Sequence, residues 1–131
     1  MSRDTRQMSP EARTQHLLEL GDFQCVWCGY DLTKTNARPV RELLVPKVKG
    51  GPTRLENEVA SCSSCNQKRG HSTSPSQYVE TCRDERGLTP NAKLVADQLD
   101  ALDAAIQRDG GMRKIRDYVT REAKRVRDLA D

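Results

Sequence analysis

Cys25-Val26-Trp27-Cys28 and Cys62-Ser63-Ser64-Cys65 are cysteine pairs, each with two residues between the thiols. That spacing lets both sulfurs reach one ion from a tight turn, and two such turns complete the tetrahedron that Zn2+ prefers. Gly29, directly after the first pair, gives the turn the backbone freedom it needs. The expected metal ligands are Cys25, Cys28, Cys62 and Cys65, and the expected cofactor is Zn2+. A shell of four cysteines leaves no coordination position for water or substrate, so the ion holds structure and performs no hydrolysis. The competing reading is a set of buried or redox-active dithiols, but a redox pair calls for a thioredoxin-like βαβ setting, which is absent here. The fifth cysteine, Cys82, falls inside a helical stretch and reads as a small buried hydrophobe. His16 and His71 are the only histidines. His16 stands beside Leu17 and Leu18 and reads as a helix-face residue, whereas His71 follows the second cysteine pair, either to bind a metal or phosphate or as a plain turn residue.

The elements that must position these groups follow from the turn and periodicity signals. Ser9-Pro10-Glu11 starts a short amphipathic helix that Gly21 ends, giving an N-terminal unit over 1–21. From 22 to 74 the chain is broken by Gly29, Pro39, Pro46, Gly50-Gly51-Pro52 and Gly70, and the apolar run from Val40 to Val45 suits a strand. Ser74-Pro75 opens a helix towards Arg86, and Thr89-Pro90 opens the next, so 75–131 is a helical extension. Val95, Leu99, Leu102 and Ile106 form one stripe, Gly110-Gly111 a turn, and Met112, Ile115, Val119, Val126 and Leu129 a second stripe interrupted at Glu122. This is a helical hairpin, which either covers the small core or docks a partner or second copy of the chain. The fold class is α+β.

With 131 residues, 35% of them hydrophobic and 4% aromatic, the chain has room for one domain, or one small core with a helical appendage, and cannot build a large aromatic core. The metal is the staple such a core needs, and without it the fold is expected to be lost. No apolar run approaches the roughly 18 residues of a membrane span, and Met1-Ser2-Arg3-Asp4 lacks the apolar stretch of a signal peptide, so a cytoplasmic protein with no membrane partner is expected. The formal net charge of +3 is too small to announce a nucleic-acid partner, but residues 1–74 carry 11 basic against 8 acidic residues while 75–131 carry 11 of each. The local excess from Arg38 to Arg69 marks the face to examine for electrostatic docking.

The stretch Glu42-Leu43-Leu44-Val45-Pro46, Gly50-Gly51, Leu55-Glu56-Asn57 and then Cys62-Ser63-Ser64-Cys65-Asn66-Gln67-Lys68-Arg69-Gly70-His71 resembles the HNH, or ββα-metal, endonuclease module. Members of that family run from a cysteine knuckle through Asp-His-x-x-Pro, a Gly-Gly loop and Leu-x-Asn to a second knuckle. The resemblance covers about Phe23 to Ser72 and implies a small zinc-stabilised ββα-metal core between the N-terminal helix and the C-terminal helices. It also implies site roles, residue by residue: an acidic ligand at Glu42, a bracing amide at Asn57, and a last metal ligand at Asn66 or His71. Glu42, Asn57 and His71 are thus the expected catalytic set, with Mg2+ or Mn2+ as the ion if cleavage occurs. The general-base position falls on Leu43, which cannot accept a proton, and losing a general base typically costs 10²- to 10⁴-fold in rate.

Lys47, Lys49, Arg54, Lys68 and Arg69 surround the Gly-rich loop and the second knuckle, where the resemblance implies a nucleic-acid groove. Contacts there would go to phosphates and be salt-sensitive, and the scarcity of aromatic residues disfavours base stacking on single strands. Trp27, inside the first knuckle, reads as core. The expectation is an HNH-like zinc protein of bacterial or phage type that acts on or binds nucleic acid, DNA foremost, with cleavage reduced or lost at Leu43. The alternatives are a non-catalytic nucleic-acid binder or an adaptor that uses the helical hairpin.

Overall fold

A computed structural model describes residues 8–130; the expected N-terminal unit's first seven residues, including Met1-Ser2-Arg3-Asp4, lie outside the described residues. The elements in chain order are α1 (Pro10–Leu20), β1 (Pro39–Leu43), β2 (Glu58–Cys62), α2 (Ser63–Arg69), α3 (Pro75–Asp84), α4 (Ala92–Asp109) and α5 (Arg113–Ala130). Single 3-10 turns at Lys47–Lys49 and Leu55–Asn57 lie between the strands. The class is α+β, as expected.

β1 and β2 pair antiparallel with Glu42 opposite Val59 and Leu43 opposite Glu58. Val26 N donates to Ala60 O at 3.1 Å, which ties the first knuckle to β2. β2 passes directly into α2, where Cys62 takes the capping position and its sulfur accepts from Cys65 N at 3.4 Å. Strand, knuckle and helix are therefore one continuous device.

The flanking helices start where their caps dictate. Ser9 Oγ accepts from Ala12 N at 3.1 Å, and Ser74 Oγ from Gln77 N at 3.2 Å. α4 begins later than Thr89-Pro90 suggests, because Asn91 supplies the cap: its Oδ1 accepts from Leu94 N at 3.1 Å. Gly110, Gly111 and Met112 all have positive φ and reverse the chain into α5.

One apolar cluster joins Leu17 of α1, Trp27, Leu44 and Val59 of the strand region, Val79 of α3, Leu99 of α4 and Val119 and Val126 of α5. The two stripes of the hairpin pack on each other, α4 also on β2 and α5 on α3. The interruption at Glu122 has a physical reason: its buried carboxylate accepts from Ser76 N and Ser76 Oγ, both at 2.8 Å, and so holds the first turn of α3. Gln98 of α4 does similar work at β2, its Nε2 donating to Leu55 O and Glu58 O at 2.9 Å each. Arg13 of α1 pairs with the buried Glu58 of β2. Among the described residues, no helix is long and apolar enough to cross a membrane.

Candidate metal centre and adjoining cleft

The sulfurs of Cys25, Cys28, Cys62 and Cys65 lie within 4.8 Å of one another, with Cys28 and Cys62 3.8 Å apart. Four Zn–S bonds of 2.3 Å in a tetrahedron place sulfurs about 3.8 Å apart, so the donor set and its spacing fit Zn2+. A hydrogen bond from Cys65 pulls the Cys25 thiol down to about 4, while burial pushes Cys28 up to about 11. The cluster thus accepts one negative charge readily and resists the next until a cation neutralises it. Arg86, near the end of α3, donates from Nη1 to Cys65 Sγ at 3.4 Å and to Tyr78 Oη at 2.7 Å. Its guanidinium offsets the surplus negative charge of a four-thiolate shell. The sequence reading missed Arg86, although Tyr78, Cys82 and Arg86 recur every fourth residue along one line of the chain. Cys82 is fully buried, as expected of a small hydrophobe, and burial raises its thiol.

Glu42 of β1 is 5% exposed and has donors on both oxygens. Trp27 Nε1 and Arg69 Nη1 donate to Oε2 at 2.8 and 2.7 Å, and Ser61 Oγ donates to Oε1 at 2.9 Å. Arg69 also donates to Leu43 O at 2.8 Å, to Leu44 O at 2.6 Å and to Thr73 O at 2.8 Å, and its guanidinium carbon lies 5.3 Å from the centre of the Trp27 ring. One buried ion pair therefore locks the end of α2 against β1 and the first knuckle. Trp27 is fully buried and meets Tyr78 edge to face at 5.0 Å, in the core where the sequence placed it.

Asn57 is completely buried. Its Oδ1 accepts from Val45 N at 2.8 Å, and its Nδ2 donates to Val45 O at 3.2 Å and Pro52 O at 2.9 Å. These bonds brace the loop after β1, and Asn57 does not line the adjoining cleft. Gly51 is held in the same turn so closely that a Cβ would stand 1.8 Å from Val45 O.

A cleft of about 380 Å³ opens beside these residues, lined by Glu42, Leu43, Lys47, Asn66, Arg69 and His71 among others. The structure therefore brings Glu42, Asn66 and His71 to one place, with Leu43 on the wall. His71 is exposed, just past α2. Glu42 reaches the cleft with its carboxylate already shared among Trp27, Ser61 and Arg69, so its expected role as a free metal ligand is not met in this geometry. Among the described residues, the four cysteines form the one cluster of three or more His, Cys, Asp or Glu side chains arranged to hold a metal.

The expected phosphate-binding residues divide. Lys47, Lys49 and Lys68 are exposed. Arg69 is corrected: at 5% exposure its donors are occupied by Glu42 and backbone carbonyls. Arg54 is corrected too, since its guanidinium is held by Asp109 at 3.0 Å and Glu56 at 3.4 Å. Charge counting along the sequence could not separate these from the lysines, because it does not register which cations have internal partners.

Residues 25–78 match the family model of the HNH endonucleases. No curated protein and no solved structure matches the chain.

Proposed function

Because residues 25–78 are an HNH endonuclease-family domain, we propose that this protein is a zinc-stabilised module that binds the phosphate backbone of DNA without cleaving it. The observation that carries the reading is the cleft itself: Leu43, at the position where the resemblance implies the general base, lines it, and the carboxylate of Glu42 is buried in the pair with Arg69 at 2.7 Å. Phosphodiester hydrolysis needs an activated water and a metal to take up charge on the leaving oxygen. Leu43 supplies neither, and Glu42 cannot turn to a new ion without leaving the Arg69 guanidinium unpaired in the interior. Zn2+, when bound by Cys25, Cys28, Cys62 and Cys65, supplies structural cross-linking of knuckle to knuckle and no open site for water.

Lys47, which lines the cleft, and the exposed Lys49 and Lys68 support phosphate contact. Their attraction is sequence-independent and screened by salt. A second reading, slow Mg2+- or Mn2+-dependent cleavage, is favoured by one observation, the presence of His71 and Asn66 on the same cleft wall. The adaptor reading draws less support, since the apolar stripes of α4 and α5 are buried in the common core. An end-labelled duplex incubated with the zinc-loaded protein and Mg2+ or Mn2+ tests the proposal. Salt-sensitive retardation with intact strands on a denaturing gel is expected; strand scission, or no retardation at low salt, contradicts it.

A further inference from the structure

The net charge of 75–131 conceals a strong asymmetry between its two long helices. α5 carries Arg113, Lys114, Arg116, Arg121, Lys124, Arg125 and Arg127 against three acidic residues, Asp117, Glu122 and Asp128. α4 carries Lys93 and Arg108 against Asp97, Asp100, Asp103 and Asp109. Where the helices adjoin, the charges cancel: Arg127 donates to Asp97 at 2.9 Å and to Asp100 at 2.5 Å. α3 also packs on α5 and carries Glu80 and Asp84 against Arg83. On α5, Lys114, Arg121 and Arg125 recur at spacings of seven and four residues, which places them along one line of the helix surface. All three are exposed, and Lys114 and Arg121 form no ion pair among the described residues, while Arg125 has a loose one, 3.6 Å from Glu122.

This line begins at the Gly-rich loop of the HNH domain. Lys49 and Gly50 share a surface depression with Met112, Arg113, Lys114 and Ile115, and a Cβ on Gly50 would stand 2.9 Å from Ile115 Cγ2. Further along, Tyr118 lies near Glu122, Arg69 and Arg121: burial and then Glu122 push its hydroxyl up, and the two guanidiniums oppose them. The line therefore runs from the Gly-rich loop beside Lys114 to Arg125, next to the Glu122 that holds the start of α3.

Resting on the nucleic-acid reading above, we infer that Lys114, Arg121 and Arg125 of α5 extend the phosphate-binding surface of Lys47 and Lys49 into one track for duplex DNA. Lys114 to Arg125 spans roughly 16 Å of helix at 1.5 Å per residue, enough to follow several phosphates of one strand. A duplex is favoured over a single strand because the track offers no exposed aromatic ring for a base to stack on; Tyr30 is the one aromatic among the exposed large hydrophobics, and it follows the first knuckle. The hairpin is then the arm that lengthens a short cleft.

Fluorescence anisotropy of a 25-base-pair duplex, titrated with the full-length zinc-loaded protein at several salt concentrations, tests this. The Lys114→Ala/Arg121→Ala/Arg125→Ala variant is compared with Lys34→Ala/Lys93→Ala/Arg108→Ala, which removes the same charge from other exposed positions, and with Lys47→Ala/Lys49→Ala. At about 0.1 M salt the α5 variant is expected to bind ~10²-fold more weakly, with a log–log salt slope smaller by about 2–3, and the control much less affected. Equal losses in the α5 variant and the control would overturn the track, since net charge alone would then explain binding. Wild-type affinity in the α5 variant, with loss in Lys47→Ala/Lys49→Ala, would overturn the track and leave the proposed function standing. Tighter binding of the single strand than of the duplex would overturn the choice of duplex. No binding by the wild-type protein would overturn both readings together.

Discussion

Glu42 is a carboxylate at the edge of a cleft, and its oxygens are already engaged within the fold. Each of its oxygens has a donor, and the strongest partner, Arg69, is itself 5% exposed. Removing one member of a buried pair leaves an uncompensated charge, typically at a cost of about 3–5 kcal/mol. Arg69→Ala should therefore destabilise the zinc-loaded protein by about that amount in urea unfolding, and Glu42→Gln in the same background should recover part of it. Simple additivity of the two changes would show that the pair is not coupled. Gly51 is governed by space instead: with a Cβ 1.8 Å from Val45 O, Gly51→Ala must displace the loop that Asn57 braces. A loss of more than about 3 kcal/mol is expected, comparable with backbone overpacking, and a thermal midpoint equal to wild type would refute the packing described.

These residue-scale facts differ in how far the sequence exposes them. The cysteine knuckles, the Asn57 brace and the burial of Trp27 were legible, because spacing alone constrains a tetrahedral site and because Trp27 sits between two of its ligands. The Glu42–Arg69 pair was not, since it joins positions 27 residues apart in sequence and nothing local distinguishes a buried arginine from a surface one. Arg69 and Lys68 are neighbours in the chain, yet one is buried and the other exposed.

At the scale of elements, the metal and the caps divide the work. β2 leads straight into α2 through Cys62, so the second knuckle positions a helix as well as two ligands. Chelation of the metal at neutral pH should therefore remove more than local order. Far-UV circular dichroism is expected to lose much of its helical signal on chelator addition and regain it with one equivalent of Zn2+; a signal indifferent to chelator would show that the helices stand without the metal. α3 depends on a different device, the Glu122 carboxylate at Ser76. Glu122→Ala leaves a buried N–H and a hydroxyl unpaired, at about 1–3 kcal/mol, so amide exchange in the first turn of α3 should quicken while that of α4 changes little. The break in apolar periodicity at Glu122 was visible in the sequence, but its partner lies 46 residues earlier and only the fold brings the two together.

For the whole molecule, charge is distributed in a way the total hides. Four thiolates and one Zn2+ lower the formal net charge from +3 to about +1, so the proposed attraction for nucleic acid rests on local surfaces. Arg54 and Arg69 are taken up internally, leaving Lys47, Lys49 and Lys68 and the basic line of α5. Splitting the chain at a domain boundary balanced the charge of 75–131, whereas splitting it at the Gly110-Gly111 turn separates an acidic helix from a basic one. The asymmetry was present in the sequence, but its significance depends on the fold setting α5 beside the Gly-rich loop.

We propose that the domain over 25–78 binds DNA through its cleft without cutting it. Incubation of supercoiled plasmid with stoichiometric zinc-loaded protein in Mg2+ or Mn2+, resolved after removal of protein, tests it most directly. The plasmid is expected to remain supercoiled with the wild-type chain and with Leu43→His, because Glu42 stays bound to Arg69 in both. Open-circular product that forms in proportion to wild-type protein and disappears in His71→Ala would contradict it.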